Sequence, residues 1–128
     1  MAHSIEEHVE LTAKQQLQQA GVDFKFKTDN VNDEVEAALS KAESKSGGKG
    51  KNIPDIKILL QMPDHTFIPV MIEVKGTKGK LEKRTDSGTL SLYTDKGVKD
   101  YSSIKNYAVN GALHYAESII KYTKSYKE

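Results

Sequence analysis

Apolar residues recur at helical spacing in three segments of the chain. In the first, Ser4 opens a capping-box pattern, and apolar residues then follow every four positions until Gly21. The second segment begins after Asn30, a candidate N-cap, and runs out in the glycine-rich segment 46–50. The third steps by three and four residues over 104–122. These patterns predict three helices.

Four other segments have the composition of strands or of a loop. Residues 22–27 alternate apolar and polar side chains, and residues 55–60 and 67–75 are rich in β-branched and apolar residues on either side of a short turn. The glycine-interrupted, basic segment 76–88 is predicted to be a mobile loop, and 89–93 a further brief strand. The predicted order is α-β-α-β-β-(β)-α, an α/β fold of α+β-like character with a hairpin at its centre.

The size and composition of the chain predict one soluble domain over residues 1–128. The absence of cysteine excludes disulfides and cysteine-ligated metal sites and suits a reducing compartment. Neither a signal-peptide core nor an apolar run long enough to span a membrane occurs, so we expect a cytoplasmic protein without a membrane partner. The four histidines lack metal-ligand spacing, and we therefore expect no zinc site.

Charge is distributed unevenly along the chain. Residues 1–40 hold eight acids and three lysines, so that the remaining residues carry a net charge of +6. Much of this excess lies in segments 41–51 and 75–84, where flexible backbone can bring cationic groups to phosphates. The simpler alternative is that these lysines are only solvated. The candidate DNA contacts are Lys49, Lys51, Lys78, Lys80, Lys83 and Arg84.

The two central strands carry a candidate catalytic centre. Asp55 follows Pro54 at the start of one strand, and Glu73 and Lys75 stand at the end of the other. Alternation along a strand places Glu73 and Lys75 on one face, and strand pairing can bring Asp55 beside them. A chance triplet is the competing interpretation, but charges that end a buried strand usually face a polar cleft.

Two carboxylates and an ammonium suit metal-dependent phosphodiester hydrolysis. Mg²⁺ binds through one or two carboxylates together with water and phosphate oxygens, and Mn²⁺ is its expected substitute. In this hypothesis Asp55 and Glu73 are ligands, with the carbonyl of Val74 as a third. Lys75 orients the attacking water or stabilises the transition state, and whether it acts as a base stays open.

Three segments resemble a known family. Residues 38–55, 70–76 and 107–116 are similar to the N-terminal nuclease domain of single-polypeptide restriction-modification enzymes, in the PD-(D/E)xK nuclease superfamily. The resemblance implies a restriction-endonuclease-like mixed β-sheet flanked by helices and Mg²⁺-dependent cleavage of double-stranded DNA. It also implies methyltransferase or helicase-like domains in a parent protein, and a homodimer for double-strand cleavage.

The resemblance also implies helper residues on two helices. The superfamily's helical glutamate corresponds to Glu10 in the first helix, with Glu34 and Glu36 as rivals. The family's glutamine-x-x-x-tyrosine pattern falls by spacing on Asn110 and His114, with Tyr115 beside them. Asn110 and Tyr115 are therefore candidates for orienting Lys75 or contacting the DNA backbone, although helix packing explains them equally well.

Several alternatives remain open at this point. A superfamily sheet usually receives another strand after the last helix, so the chain is either a fragment of a larger enzyme, truncated before that strand, or a stand-alone domain. A catalytically inactive DNA-binding or assembly module of the same fold is one alternative function. A repair or junction nuclease is another, distinguished by a preference for branched DNA.

Overall fold

The computed structural model describes residues 5–27, 29–48 and 52–126. Helices and strands are interspersed along these ranges, as the periodicities predict. In chain order they are α1 (Ile5–Gln19), β1 (Lys25–Phe26), α2 (Asp33–Lys41), β2 (Ile56–Gln61), β3 (Phe67–Ile72), α3 (Tyr101–Asn106) and α4 (Ala108–Tyr122). The predicted α/β fold class is confirmed.

The sheet has the order β1-β2-β3, and both pairings are antiparallel. β2 and β3 form the predicted hairpin, in which Ile56 pairs with Ile72 at the open end and Gln61 with Phe67 next to the turn. His65 in that turn has φ 68°, in the left-handed region. A short turn imposes antiparallel pairing, so the part of the sheet that the structure describes lacks the parallel component expected of a mixed sheet.

The second helix begins later than its sequence predicts. Asn32, and not Asn30, is the N-cap, because its Oδ1 accepts a hydrogen bond from the backbone nitrogen of Val35 at 2.8 Å. The capping residue predicted for α1, Ser4, lies outside the described residues.

Two predicted strands are shortened or not formed. The segment 22–27 contributes only β1, because Asp29 accepts a hydrogen bond from the backbone of Phe26 at 3.2 Å and closes a turn there. The segment 89–93 forms no strand, and it contributes single bridges, Leu90 with Arg84 and Tyr93 with Lys99. Each bridge closes a small turn instead of extending the sheet.

The predicted final helix is broken at Tyr107, which is extended with φ −124° and ψ 135°. The first backbone nitrogens of α4, those of Ala108 and Val109, donate hydrogen bonds of 3.0 and 2.8 Å to the carbonyls of Lys80 and Leu81. A helix N-terminus needs such acceptors for its free N–H groups. The segment 76–88, predicted to be a mobile loop, is therefore tied to α4 through its backbone.

Helices α2 and α4 cover one face of the hairpin. Their packed residues are Val35, Leu39, Tyr115 and Ile119, with Met71 of β3 and Tyr126 against them. Met71 pairs with Lys57, so both point to this covered face. Lys57 is fully buried there, and its ammonium donates a hydrogen bond to Glu36 of α2 at 2.9 Å and another to the carbonyl of Asp29.

Helix α1 is less enclosed than the other long helix. Ile5 and Val9 of its apolar stripe are 70% and 43% exposed, whereas Glu10 is buried. Within the described residues, no helix is both long and apolar enough to cross a membrane.

Candidate active site

The β2–β3 register brings the two predicted carboxylates together. Continuing the pairing by one position beyond Ile56 and Ile72 places Asp55 opposite Glu73. Asp55 Oδ2 accepts a hydrogen bond from the backbone nitrogen of Val74 at 2.9 Å, and the backbone nitrogen of Asp55 donates to Glu73 Oε1 at 3.4 Å. Each carboxylate is thus held by the main chain of the opposite strand.

Glu73 lies in an electrostatically strained position. Its side chain is only 3% exposed. Burial raises the pKa of Glu73, the neighbouring ammonium of Lys45 opposes the rise, and the negative charge of Asp55 adds to it. The net direction is upward, because the effect of burial outweighs the stabilisation by Lys45.

Lys45 is a member of this site that the sequence did not reveal. Its Nζ lies 2.7 Å from Glu73 Oε2 and 5.4 Å from the ring centroid of Tyr115. The residue stands in the Lys/Ser/Gly-rich segment 41–51, where no periodicity distinguishes one lysine from another. Its position shortly before Asp55 is the one feature of the sequence that links it to the site.

The turn that carries Lys45 is anchored from two sides. Burial lowers the pKa of His114, so its ring is neutral. The ring donates from Nε2 to the carbonyl of Glu43 at 2.9 Å and accepts from Lys99 at Nδ1. Asn52 donates to the same Glu43 carbonyl at 2.9 Å. The backbone two residues before Lys45 is therefore fixed to α4 and to the segment that leads into β2.

Helix α4 forms the floor of the site. Burial, followed by the charge of Glu73, raises the pKa of Tyr115, whose hydroxyl faces Glu73 without a hydrogen bond of normal geometry to any described residue. One turn earlier, a Cβ on Gly111 would lie 2.9 Å from the carbonyl oxygen of Ile104, 3.4 Å from the Lys45 side chain and 3.6 Å from Glu73 Oε2. Glycine at this position therefore allows the helix to approach the site closely.

Lys75 follows Glu73 by two residues, just past the end of β3. It is half-buried and makes no hydrogen bond or ion pair with any residue in the described ranges. The next residue, Gly76, packs against α1 so closely that a Cβ there would lie 2.3 Å from the backbone nitrogen of Glu6. The first turn of α1 is thus adjacent to the predicted catalytic lysine.

Comparison with known proteins places this geometry in a family. The model of the VRR-NUC domain matches residues 3–97, which include Asp55, Glu73 and Lys75 and make up well over half of the chain. The chain belongs to the VRR-NUC domain family. The VRR-NUC domain is a nuclease domain of the PD-(D/E)xK superfamily, so the family resemblance seen in the sequence is confirmed.

A curated relative of this VRR-NUC domain is the type II restriction enzyme and methyltransferase RM.BcgI of Heyndrickxia coagulans. The two are 31% identical over 97 residues, which cover 76% of this chain and 13% of the relative. The chain thus spans a small part of the length of that relative. No solved structure gives a significant match.

The predicted helical glutamates of this VRR-NUC domain make ion pairs and hydrogen bonds with residues outside the predicted centre. Glu10 forms ion pairs with Lys14 at 3.2 Å and Lys27 at 4.0 Å. Glu36 binds Lys57, and Glu34 accepts hydrogen bonds from the C-terminal segment 124–125. Across the described ranges, no hydrogen bond or ion pair joins any of these glutamates to Asp55, Glu73 or Lys75.

Asn110 is an interior residue of the VRR-NUC domain. It is fully buried, its Oδ1 accepts from the backbone of Lys83 at 2.9 Å, and its Nδ2 donates to the carbonyls of Lys83 and Ser91 at 3.2 and 2.9 Å. Its amide therefore holds two loop segments together. Of the candidate DNA contacts, Lys78, Lys83 and Arg84 are exposed, Lys80 is half-buried, and Lys49 and Lys51 lie outside the described residues.

The donor set of the VRR-NUC domain fits a hard divalent cation. No group of three or more His, Cys, Asp or Glu side chains in the described ranges could hold a metal, which leaves Asp55 and Glu73 as the carboxylate pair. Mg²⁺ commonly binds proteins through one or two carboxylates and keeps several waters. Burial raises the pKa of Glu73, and an ion bound between Glu73 and Asp55 would offset the cost of burying that carboxylate.

Proposed function

We propose that this VRR-NUC domain is a divalent-metal-dependent DNA endonuclease with Asp55, Glu73 and Lys75 as its reacting centre. The β2–β3 register carries the proposal, because it sets the two carboxylates opposite each other at the open end of the hairpin. Membership of a nuclease family supports phosphodiester bonds as the substrate. The two carboxylates supply metal ligands, and Lys75, which follows Glu73 by two residues, supplies a positive charge.

Asp55 and Glu73 would hold the metal, with the carbonyl of Val74 as a third oxygen ligand. Mg²⁺ is the proposed ion, with Mn²⁺ as its substitute, since both accept oxygen donors. When bound, the ion neutralises charge on the scissile phosphate and lowers the pKa of a bound water. Hydrogen bonds from the facing main chain, at 2.9 Å for Asp55, would keep the ligand atoms in place.

Lys75 would act on the attacking water or on the phosphate. Its ammonium has no competing partner within the described ranges, so it is available to a substrate oxygen. An ammonium next to the reacting phosphate stabilises the negative charge of the transition state. Glu10 stays a proposed helper of this centre, because it is buried on α1 one turn after Glu6, against which Gly76 packs. Without metal it pairs with Lys14 and Lys27.

Double-stranded DNA is the proposed substrate, held through the segment that follows Lys75. Lys78, Lys83 and Arg84 expose cationic groups, and Lys80 lies 4.9 Å from the ring centroid of Tyr107. The backbone hydrogen bonds to α4 give this segment a fixed base. Phosphate contacts position a protein without reading bases, so we expect little sequence preference from these residues alone.

A restriction system is the proposed setting. The name of the H. coagulans relative joins a restriction enzyme with a methyltransferase. By analogy, the chain would be a single cleavage module in the cytoplasm that works with a methyltransferase or helicase-like domain. Two copies would then meet to cut both strands, since symmetric pairing is the usual route to a double-strand break at one site.

Plasmid cleavage at low salt with Mg²⁺ or Mn²⁺ tests this proposal. Asp55→Ala and Lys75→Ala should each reduce the rate at least about 100-fold. Asp95→Ala and Lys96→Ala are the matched controls, because both residues are exposed in the turn that Gly97 closes, and they should cut like the parent.

Other outcomes of this experiment favour the alternatives. A parent that binds DNA but never cuts it would support an inactive DNA-binding or assembly module. Faster cutting of branched than of linear DNA would support a repair or junction nuclease. Cleavage that survives both active-site substitutions would show that the reacting residues are others.

A further inference from the structure

The carboxylate pair already has a cation of its own in this fold. The ammonium of Lys45 lies 2.7 Å from Glu73 Oε2, and the Glu73 side chain is 3% exposed. Asp55 stands on the other side of Glu73, with its backbone nitrogen 3.4 Å from Glu73 Oε1. Lys45 therefore neutralises one of the two acids that would hold the metal.

The surrounding contacts show that Lys45 is placed there by the fold. The carbonyl of Glu43 accepts hydrogen bonds from His114 and Asn52, both at 2.9 Å, which fixes the start of the turn. Gly111 leaves room for the lysine, because a Cβ there would approach the Lys45 side chain to 3.4 Å. A solvated surface lysine needs none of these arrangements.

A divalent ion and the Lys45 ammonium would compete for one carboxylate. Mg²⁺ binds carboxylate oxygens at about 2.1 Å, so an ion on either oxygen of Glu73 would place a second positive charge close to the Lys45 ammonium on Oε2. We propose that Lys45 is an internal counter-ion of the metal site, which stabilises the metal-free pair and must leave Glu73 before a divalent metal binds. This inference rests on the proposed function, because it takes Asp55 and Glu73 as the metal ligands.

The position of Lys45 allows such a departure. Its side chain is 23% exposed, and residues 46–48 that follow it are exposed to solvent. A lysine has a flexible four-carbon stem, so its ammonium can leave Glu73 without a change of the backbone. The released ammonium would move toward solvent, where it could meet the phosphate of a bound DNA strand.

Calorimetric titration of the DNA-free protein with Mn²⁺ tests the inference without measuring activity. Lys45→Met removes the competing charge at similar length, and it should bind Mn²⁺ at least about tenfold more tightly than the parent. Lys45→Arg keeps the charge and should stay near the parent affinity. Lys41→Met removes a lysine from the exposed end of α2 and should also leave the affinity unchanged.

Thermal unfolding of the same proteins provides a second readout. Without metal, Lys45→Met should unfold at a lower temperature than the parent, because Glu73 and Asp55 lose their counter-ion. With saturating Mn²⁺ it should gain more than the parent gains, since a ligand stabilises the state that binds it more tightly. If Lys45→Met does not fold, Lys45→Gln carries the test, because its neutral amide can still donate to Glu73.

The outcomes separate this inference from the proposed function. If parent and variant bind Mn²⁺ equally, or the variant binds it less tightly, while Asp55→Ala abolishes binding, the metal site stands and the counter-ion is wrong. If neither binds Mn²⁺, the metal site is wrong and the counter-ion with it. If Lys45→Met binds Mn²⁺ and the parent does not, the inference is supported in its strongest form.

Discussion

Breaking the buried ion pair of Lys57 and Glu36 should be one of the most destabilising single changes in this fold. Lys57 is 0% and Glu36 is 7% exposed, and Lys57 Nζ lies 2.9 Å from Glu36 Oε2. Lys57→Met keeps most of the aliphatic volume but removes the ammonium that faces Glu36 and the donor to the carbonyl of Asp29. Removing one partner of a buried pair costs about 3–5 kcal/mol.

That cost is a large part of the total stability expected of a small domain, about 5–15 kcal/mol. Urea denaturation followed by circular dichroism measures it, and the midpoint should fall while the slope m stays constant. The double variant Lys57→Met/Glu36→Met should recover most of the loss, because both members of the buried ion pair are then apolar.

Arg84→Met is the matched control for this experiment. Arg84 and Glu82 are 3.1 Å apart, a similar distance, but their side chains are 53% and 34% exposed. An exposed pair contributes up to about 1 kcal/mol, so this variant should be close to the parent. The reasoning would be refuted if Lys57→Met lowered the free energy of unfolding by less than about 1 kcal/mol. It would also be refuted if the double variant lost as much stability as Lys57→Met and Glu36→Met lose together.

Two further predictions concern the carboxylate pair and the contact with α1. In the metal-free protein, the pKa of Glu73 is higher in the folded chain than in the unfolded chain. Between these two pKa values the folded chain binds more protons than the unfolded chain. The free energy of unfolding therefore falls as pH rises through that window. Glu73→Gln should therefore be more stable than the parent above the window, by about 1.4 kcal/mol for each tenfold difference in proton affinity. Urea denaturation from pH 4 to 8 measures this, with Asp95→Asn as the exposed control, and a constant difference between Glu73→Gln and parent over the whole range would contradict it. Gly76→Ala should lower the free energy of unfolding by about 1–3 kcal/mol and reduce cleavage, because its Cβ would lie 2.3 Å from the backbone of Glu6. Gly48→Ala, whose Cβ meets nothing within 4 Å, is the control, and equal stabilities would argue against the close packing of α1.

The sequence was most informative where structure is determined locally. The alternation of β2 and β3 and their short turn fix which residues face each other, so the approach of Asp55 to Glu73 followed from pattern alone. Lys45 could not be found in this way, because it meets Glu73 across 28 positions and its turn is anchored by His114 across 71. Such contacts depend on how α4 packs, and no local periodicity encodes that.

The same limit explains the helical residues. Asn110 was singled out by its spacing on the last helix, but its role depends on loop backbones at Lys83 and Ser91 that only the folded chain brings to it. Glu10 was chosen as an acid on the first helix, and its partners are two lysines, one of them beyond the end of that helix. The sequence could not show these partners, and the role of Glu10 in the site stays a prediction.

The register of the hairpin links the stability of the fold to the proposed chemistry. Shifting β2 by one residue against β3 would turn Lys57 away from Glu36 and set Asp55 opposite a residue other than Glu73. The buried pair resists that shift, because an unpaired Lys57 would have to be desolvated without a partner. We therefore expect Lys57→Met to weaken Mn²⁺ binding as well as stability, although Lys57 donates its hydrogen bonds to Asp29 and Glu36 and not to the carboxylates of the site. Titration of folded Lys57→Met with Mn²⁺ measures this, and an affinity equal to that of the parent would show that the pairing of β2 with β3 holds the register without the buried charge.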